Sequence, residues 1–247
     1  MQSGKEAMDL IPAKTTTRIA IGTAALGAAT IAAAVFLYPR IEPAAISYSI
    51  RGVDVSAHNG TLDWVQLKTD KVAFAFIKAT EGGDFIDREF ANNWSAAAKA
   101  GVPHGAYHFF TQCRTGLVQA QHFISTVPND SDALPPVIDA EHMGPCAQGP
   151  TVKDVAAEIE VFLDEVEARL GKRPIIYTTQ EFHDAYLRGL FAGERFWVRN
   201  LFFPPGFRQN QWTFWQYHNR GYRNGASGPI DLNAYRGTQA DLDALMK

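Results

Sequence analysis

LPPVIDAEHMG, residues 134–144, sets two prolines, two branched aliphatics and a D-x-E pair in a row. Pro135 and Pro136 hold the chain extended, because each ring fixes its own φ and restricts the residue before it. Val137 and Ile138 then read as a short buried strand. Side chains alternate along a strand, so Asp139 and Glu141 share a face with only Ala140 between them. Ionising one of two such acids raises the pKa of the other. That suits a general acid kept protonated near neutral pH. A D-x-E pair by itself is more often a solvated strand end whose acids cap the next loop; the rest of the chain decides between the two.

Working outward, apolar strands alternate with helices on both sides of this stretch. Ahead of it, Ile50–Ser56 is strand-like, and Asp63 caps a short helix carrying Trp64, Val65 and Leu67. Val72–Ala79 is a second strand, followed by a helix over Asp87–Ala100 that Gly101 ends. Val102–Phe110 is the third strand and Gly116–Val127 the third helix. Behind the central strand, Thr151–Leu170 is a helix with a Thr151/Asp154 capping signal and a closing Gly171. Pro174–Thr178 and Gln180–Leu190 are the next strand and helix. Three strands then follow without helices between them, Phe196–Arg199, Gln211–Tyr217 and Pro229–Tyr235, before a last helix at Thr238–Met246. Near-continuous apolar strands alternating with helices predict a parallel α/β sheet covered on its outer face. Five strand–helix units and three more strands make eight, enough to close a TIM-like barrel.

The chain has 247 residues and a formal charge of −3, the size of one α/β domain with a tail and no electrostatic footprint of a nucleic-acid binder. The tail has its own signature. Ile19–Tyr38 is a charge-free run of the length a helix needs to cross a bilayer. Lys5, Lys14 and Arg18 precede it and only Arg40 follows closely, which places the N-terminus in the cytoplasm. A cleavable signal peptide is the competing reading, opposed by the long polar lead and long apolar run. The expected organisation is a cytoplasmic tail over residues 1–18, a transmembrane signal anchor over 19–38, a linker over 39–49 and the barrel over 50–247, outside the cytoplasm. Cys113 and Cys146, the two cysteines, would then sit where disulfides persist; a bridge and two buried thiols are both open.

In a βα barrel the C-terminal ends of the strands line one site. Asp54 ends the first strand, Asp139 and Glu141 the fourth, and Asp231 lies in the last. Tyr107 and His108 end the third strand, Tyr177 the fifth, and Trp215, Gln216 and Tyr217 the seventh. Carboxylates ringed by aromatics and an amide are what a sugar-cleaving cleft needs: the rings stack on sugar faces while the acids protonate the leaving oxygen and support an oxocarbenium-like transition state.

Together, RGVDVSAHNG (51–60), FIKATEG (76–82), GAYHFF (105–110), PPVIDAE (135–141), PIIYT (174–178), WQY (215–217) and IDLN (230–233) resemble the family 25 glycoside hydrolases, the Chalaropsis-type lysozymes or N-acetylmuramidases. The resemblance runs from about Arg51 to the C-terminus, and the family's (β/α)5(β)3 barrel agrees with the strand count. It implies hydrolysis of the β-1,4 bond between N-acetylmuramic acid and N-acetylglucosamine in peptidoglycan by a monomeric barrel without cofactor or metal. It further implies Glu141 as general acid, Asp139 as the carboxylate that orients or stabilises the reacting 2-acetamido group, and Asp54 and Asp231 as the remaining acids. Lys78 and Glu81 of FIKATEG join Tyr107, His108, Tyr177, Trp215, Gln216 and Tyr217 as substrate-binding residues. A substrate-assisted course is the favoured one, since it needs no enzyme nucleophile. Arg199, where the family more often has small residues, is expected to face the cleft and alter which glycan or stem peptide fits.

Two other readings compete. His104-x-x-x-His108 has the flavour of a metal-dependent polysaccharide deacetylase, but strand positions i and i+4 lie about 13 Å apart, too far for one ion. A glycan-binding module that has lost turnover would have no need of a buried, mutually repelling carboxylate pair.

Overall fold

Eight strands close on themselves in the computed structural model, which describes residues 30–142, 152–209 and 211–247. They are β1 (Arg51–Val55), β2 (Phe74–Glu81), β4 (His104–Phe109), β5 (Val137–Ala140), β6 (Ile175–Thr179), β7 (Phe196–Arg199), β8 (Trp212–Gly221) and β9 (Ile230–Tyr235), with a two-residue β3 (Phe85–Ile86) folded back on β2. Helices α1 (Trp64–Thr69), α2 (Phe90–Ala100), α3 (Gly116–Thr126) and α4 (Val152–Leu170) follow the first four barrel strands. After β6, the expected single helix is a short α5 (Gln180–Phe182) running into a π-helical turn, His183–Leu187; α6 (Gln239–Leu245) ends the chain. Five strand–helix units followed by three strands is the expected TIM-like α/β order.

β1 pairs in parallel with β2, and the parallel ladder continues through β8, whereas β9 is antiparallel to both β8 and β1. This reversal brings the start of β9, not its end, to the mouth. Asp231 thereby stands directly opposite Asp54 in the register.

Alternation divides the strands cleanly between two faces. Phe74, Phe76, Val137, Ile175, Tyr177, Trp197, Phe214 and Tyr235 pack inside the barrel as a floor, with Leu242 of α6 beneath them. The intervening residues, among them Val53, Ile77, Ile138, Ile176, Val198 and Leu232, pack outward under the helices. Helix contact is close where α3 meets α4. A Cβ on Gly116 would lie 1.9 Å from the Glu158 carbonyl oxygen, so that position admits no side chain.

The chain divides into two units, Met1–Ile41 and Glu42–Lys247. The barrel unit therefore begins inside the expected linker. Ala44 is fully buried, and the Glu42 carboxylate meets Arg51 at 2.6 Å, Arg223 at 2.7 Å and the Tyr217 hydroxyl at 3.1 Å. These contacts dock the stretch from Glu42 on as part of the fold. In the other unit, residues 30–37 are helical and expose Ile31, Val35, Phe36 and Leu37. The remainder of the expected anchor and the tail before it lie outside the described residues. No helix among the described residues is long and apolar enough to cross a membrane.

Candidate active site

The two acids of the central strand sit where alternation places them, on the inner face at the mouth. Asp139 is buried, in register with Phe109 of β4 and Tyr177 of β6. Among the described residues its buried Oδ1 has no hydrogen-bond partner. Glu141, just past β5, has a side chain 12% exposed, with Oε2 3.6 Å from Nη1 of Arg199 at the end of β7. Burial raises Asp139 well above the usual carboxylate range, and the charge of Glu141 raises it further. Glu141 is also raised by burial, while Arg199 pulls it back. The larger effect thus falls on the partner acid, which lies deeper and has no cation in contact.

Across the mouth, Asp54 is held by two amides. Asn233 Nδ2 donates to Asp54 Oδ2 at 2.7 Å and Gln216 Nε2 donates to the same oxygen at 2.9 Å. Each amide is oriented from behind. The indole N–H of Trp197, which can only donate, gives to Asn233 Oδ1 at 2.8 Å, and the Tyr177 hydroxyl donates to Gln216 Oε1 at 2.9 Å. The aromatic floor therefore aims both NH2 groups at Asp54. Burial pushes Asp54 up, and hydrogen bonds from Asn233, Gln216 and Asp231 pull it part of the way back. Burial, then the charge of Asp54, then the hydrogen bond between them push Asp231 up to about 9. Asp231 is thus the member of the pair held in its protonated form near neutral pH, and the two amide donors favour the charged form of Asp54.

A folded-state pKa raised above the unfolded one gives stability that is complete below the unfolded value, near 4, and is lost as pH rises through the folded value. Asp231→Asn keeps a donor toward Asp54 and removes the titration. The variant is expected to melt like the parent at pH 4 and to be more stable by roughly 2 kcal/mol at pH 8, with turnover reduced. Thermal melts at the two pH values check this, and equal melting points at pH 8 would count against a protonated Asp231.

The other expected site residues divide by face. Tyr107, Tyr177, Gln216 and Lys78 point inward, and Lys78 pairs with Glu81 at 2.7 Å beside the rings of Phe85 and Phe109. Burial and the fields of Asp54, Asp139 and Asp231 hold the Tyr107 hydroxyl well above its ordinary range, and that of Tyr177 is raised in the same way. His108, Trp215 and Tyr217 point outward, which corrects their expected place in the cleft. His108 is fully buried, with Nδ1 2.7 Å from the Thr80 hydroxyl and Nε2 3.1 Å from Gln119 Oε1, and it stacks on Phe162. Both its nitrogens are engaged, so it has no lone pair for a metal; His104 Nδ1 donates to the Val102 carbonyl at 2.8 Å, and no cluster of metal-ligating side chains occurs among the described residues. Trp215 donates to the Asn200 carbonyl at 2.7 Å, and Tyr217 contacts Glu42. Adjacent strand residues cannot share a face: Tyr107 excludes His108, and Gln216 excludes both of its neighbours. The sequence reading passed over Asn233 and Trp197; Asn233 stands two residues after Asp231, on the same face.

Exposed rings at the mouth come from the segments that follow the barrel strands. Phe85, beyond the end of β2, is 50% exposed, and Phe203, in the loop after β7, is 72% exposed. That loop is strained at Phe202, whose φ is 67°, and Asn200 Nδ2 donates to the carbonyls of Phe203 and Pro204 to hold it. Cys113, in the loop after β4, is disulfide-bonded; Cys146 lies outside the described residues.

Comparison with known proteins gives a consistent result. The sequence profile of glycosyl hydrolases family 25 matches residues 53–226. Lysozyme M1 of Streptomyces globisporus is 35% identical over 219 residues, covering 83% of this chain and 74% of its own. A family 25 glycosyl hydrolase structure from Bacillus anthracis superposes with a TM-score of 0.76 at 40% identity, over 80% of this chain and 93% of that one. The Streptomyces coelicolor lysozyme gives a TM-score of 0.73 at 34% identity, over 80% and 96% of the two chains.

Proposed function

The chain belongs to glycosyl hydrolase family 25, and from that premise we propose the following reading of its site. The protein is a peptidoglycan muramidase that hydrolyses the β-1,4 bond between N-acetylmuramic acid and N-acetylglucosamine. Glu141, protonated through burial, gives its proton to the glycosidic oxygen as the bond to C1 breaks. The acetamido oxygen of the muramoyl residue closes on C1, and Asp139 accepts the acetamido N–H. Water then attacks C1, gives its proton to Glu141, and leaves a reducing muramic acid end. Asp54, the charged member of its pair, supports the positive charge that develops at C1, and Asp231 holds Asp54 in place. The observation that carries the reading is the buried Oδ1 of Asp139, an acceptor without a partner among the described residues, beside the candidate acid. A buried acceptor left unmet is unfavourable in the empty site and is satisfied by a ligand donor placed there. All four acids come from one chain, so the reaction needs no second copy.

The test is product identity. Purified peptidoglycan incubated with the protein should release disaccharide-peptides with reducing muramic acid ends, identified by mass spectrometry and missing from the Glu141→Gln reaction. Anhydro ends would mean transglycosylation instead, and intact strands with binding retained would mean a glycan-binding module.

We further infer that the barrel is tethered on the wall side of a membrane, in the periplasm or cell-wall space. The charge-free run Ile19–Tyr38 and the cations ahead of it support this, as does the exposure of Val35 and Phe36 near its end. Such a tether confines lysis to glycan near the membrane, as local remodelling requires. Alkaline carbonate extraction should leave the protein in the membrane fraction; a soluble protein with a new N-terminus near Ala44 would overturn the tether.

A further inference from the structure

We propose that Arg199 is a positioning residue that grips Glu141 and sets the upper pH limit of glycosidic cleavage. The inference rests on Glu141 being the acid of the reaction proposed above. The geometry is specific. Arg199 ends β7 in register with Thr179 and Gln216, which turns its side chain into the mouth. Its backbone has little freedom to move, because the Asn200 N–H donates to the Gln216 carbonyl and the Asn200 carbonyl accepts from Trp215 Nε1. Trp215 therefore serves the site from the outer face, by fixing the strand end that carries the guanidinium. Among the described residues the only ion pair of Arg199 is with Glu141, at 3.6 Å. Lys78, the other inward cation, is already committed to Glu81.

The other titratable groups that act on Glu141 come from the neighbouring elements. Asp54 of β1, Asp139 of β5, Tyr177 of β6, Glu181 of α5 and Asp231 of β9 bring no positive charge, and Lys78 of β2 is paired with Glu81. Arg199 is thus the one group in contact that favours the Glu141 carboxylate. A cation within about 4 Å lowers a carboxyl pKa, by about one unit when half-exposed. A general acid works only while protonated, so kcat/KM falls as pH rises through the pKa of Glu141 in the free enzyme. Arg199 accordingly lowers the alkaline limit of the enzyme. In exchange it fixes the carboxyl and returns the carboxylate readily after proton donation, as the water step requires.

The experiment uses the full chain in detergent, with 13C-carboxyl glutamate and the Glu141 resonance assigned by its loss in Glu141→Gln. In Arg199→Gln the titration midpoint of Glu141 should rise by about one pH unit, and the alkaline limb of kcat/KM should move up with it. KM should stay within about twofold, and Arg199→Lys should restore both positions. An unmoved midpoint with Glu141→Gln inactive would overturn the role of Arg199 and leave the acid assignment standing. An unmoved midpoint with a KM rise of about tenfold or more would overturn it in favour of a substrate contact. A moved midpoint with an unmoved limb would overturn Glu141 as the acid, and this inference with it.

Discussion

Glu141→Gln is expected to lower kcat on purified peptidoglycan by about 10³-fold while leaving KM within about twofold. The amide matches the carboxyl in shape, so sugar contacts persist, but it has no proton acidic enough to release to a departing alkoxide. The fold should not suffer. Glu141 lies just past β5 beside another buried carboxyl whose pKa it raises, and a neutral amide in its place no longer opposes charge on that partner. A melting temperature equal to or above the parent's, together with the kinetic loss, separates a catalytic defect from an unfolded one. A fall in kcat of less than about tenfold would move the acid's role to another member of the cluster, with Asp139 the first to examine.

The largest loss of stability is expected far from the chemistry. Burial opposes the charge of Glu42, yet the hydrogen bonds and fields of Arg223 and Arg51 outweigh it and hold the carboxyl below its ordinary value. Arg223 has a side chain only 8% exposed, so deleting its partner leaves a buried, unpaired guanidinium. Glu42→Gln should therefore destabilise the barrel by roughly 3 kcal/mol, a drop of about 8 °C in melting temperature for a domain of this size. A depressed folded pKa gives stability that is present above the unfolded value near 4.5 and is lost as pH falls through the folded one. The gap between parent and variant should accordingly narrow in acid. Replacing Glu42 and Arg223 together by Leu and Met should recover most of the loss, since the pair matters chiefly because half of it cannot be left behind. Thermal melts of the three proteins at neutral and acidic pH decide the matter, and a Glu42→Gln variant as stable as the parent would show that the ion cluster contributes nothing.

The barrel was legible because its strands are apolar and are separated by helices that end at glycines such as Gly101 and Gly171. The four acids were legible because each lies at or near the mouth end of a strand. Misplaced residues came from reading neighbours as a group. WQY and YH look like binding patches in one dimension, but the period of two that places Asp139 beside Glu141 also separates Gln216 from Trp215 and Tyr217. The helix expected over Gln180–Leu190 gave way to a π-helical turn. That turn faces His142, whose ring lies 5.4 Å from that of Tyr186, a tertiary contact that no local propensity contains. The docking of Glu42 was invisible for the same reason, since its partner Arg223 lies 181 residues away.

The antiparallel last strand has a bearing on when the enzyme becomes dangerous. Asp54 is among the earliest barrel residues to leave the ribosome, and Gln216, Asp231 and Asn233, which hold it, are among the last. Synthesis proceeds from the N-terminus and domains fold as units, so a chain halted before residue 231 lacks its closing seam and the Asp231 and Asn233 contacts of Asp54. With the roles proposed for Asp54 and Asp231, lytic capacity is expected only once the final strand is made, which would spare the producing cell wall-cutting by unfinished copies.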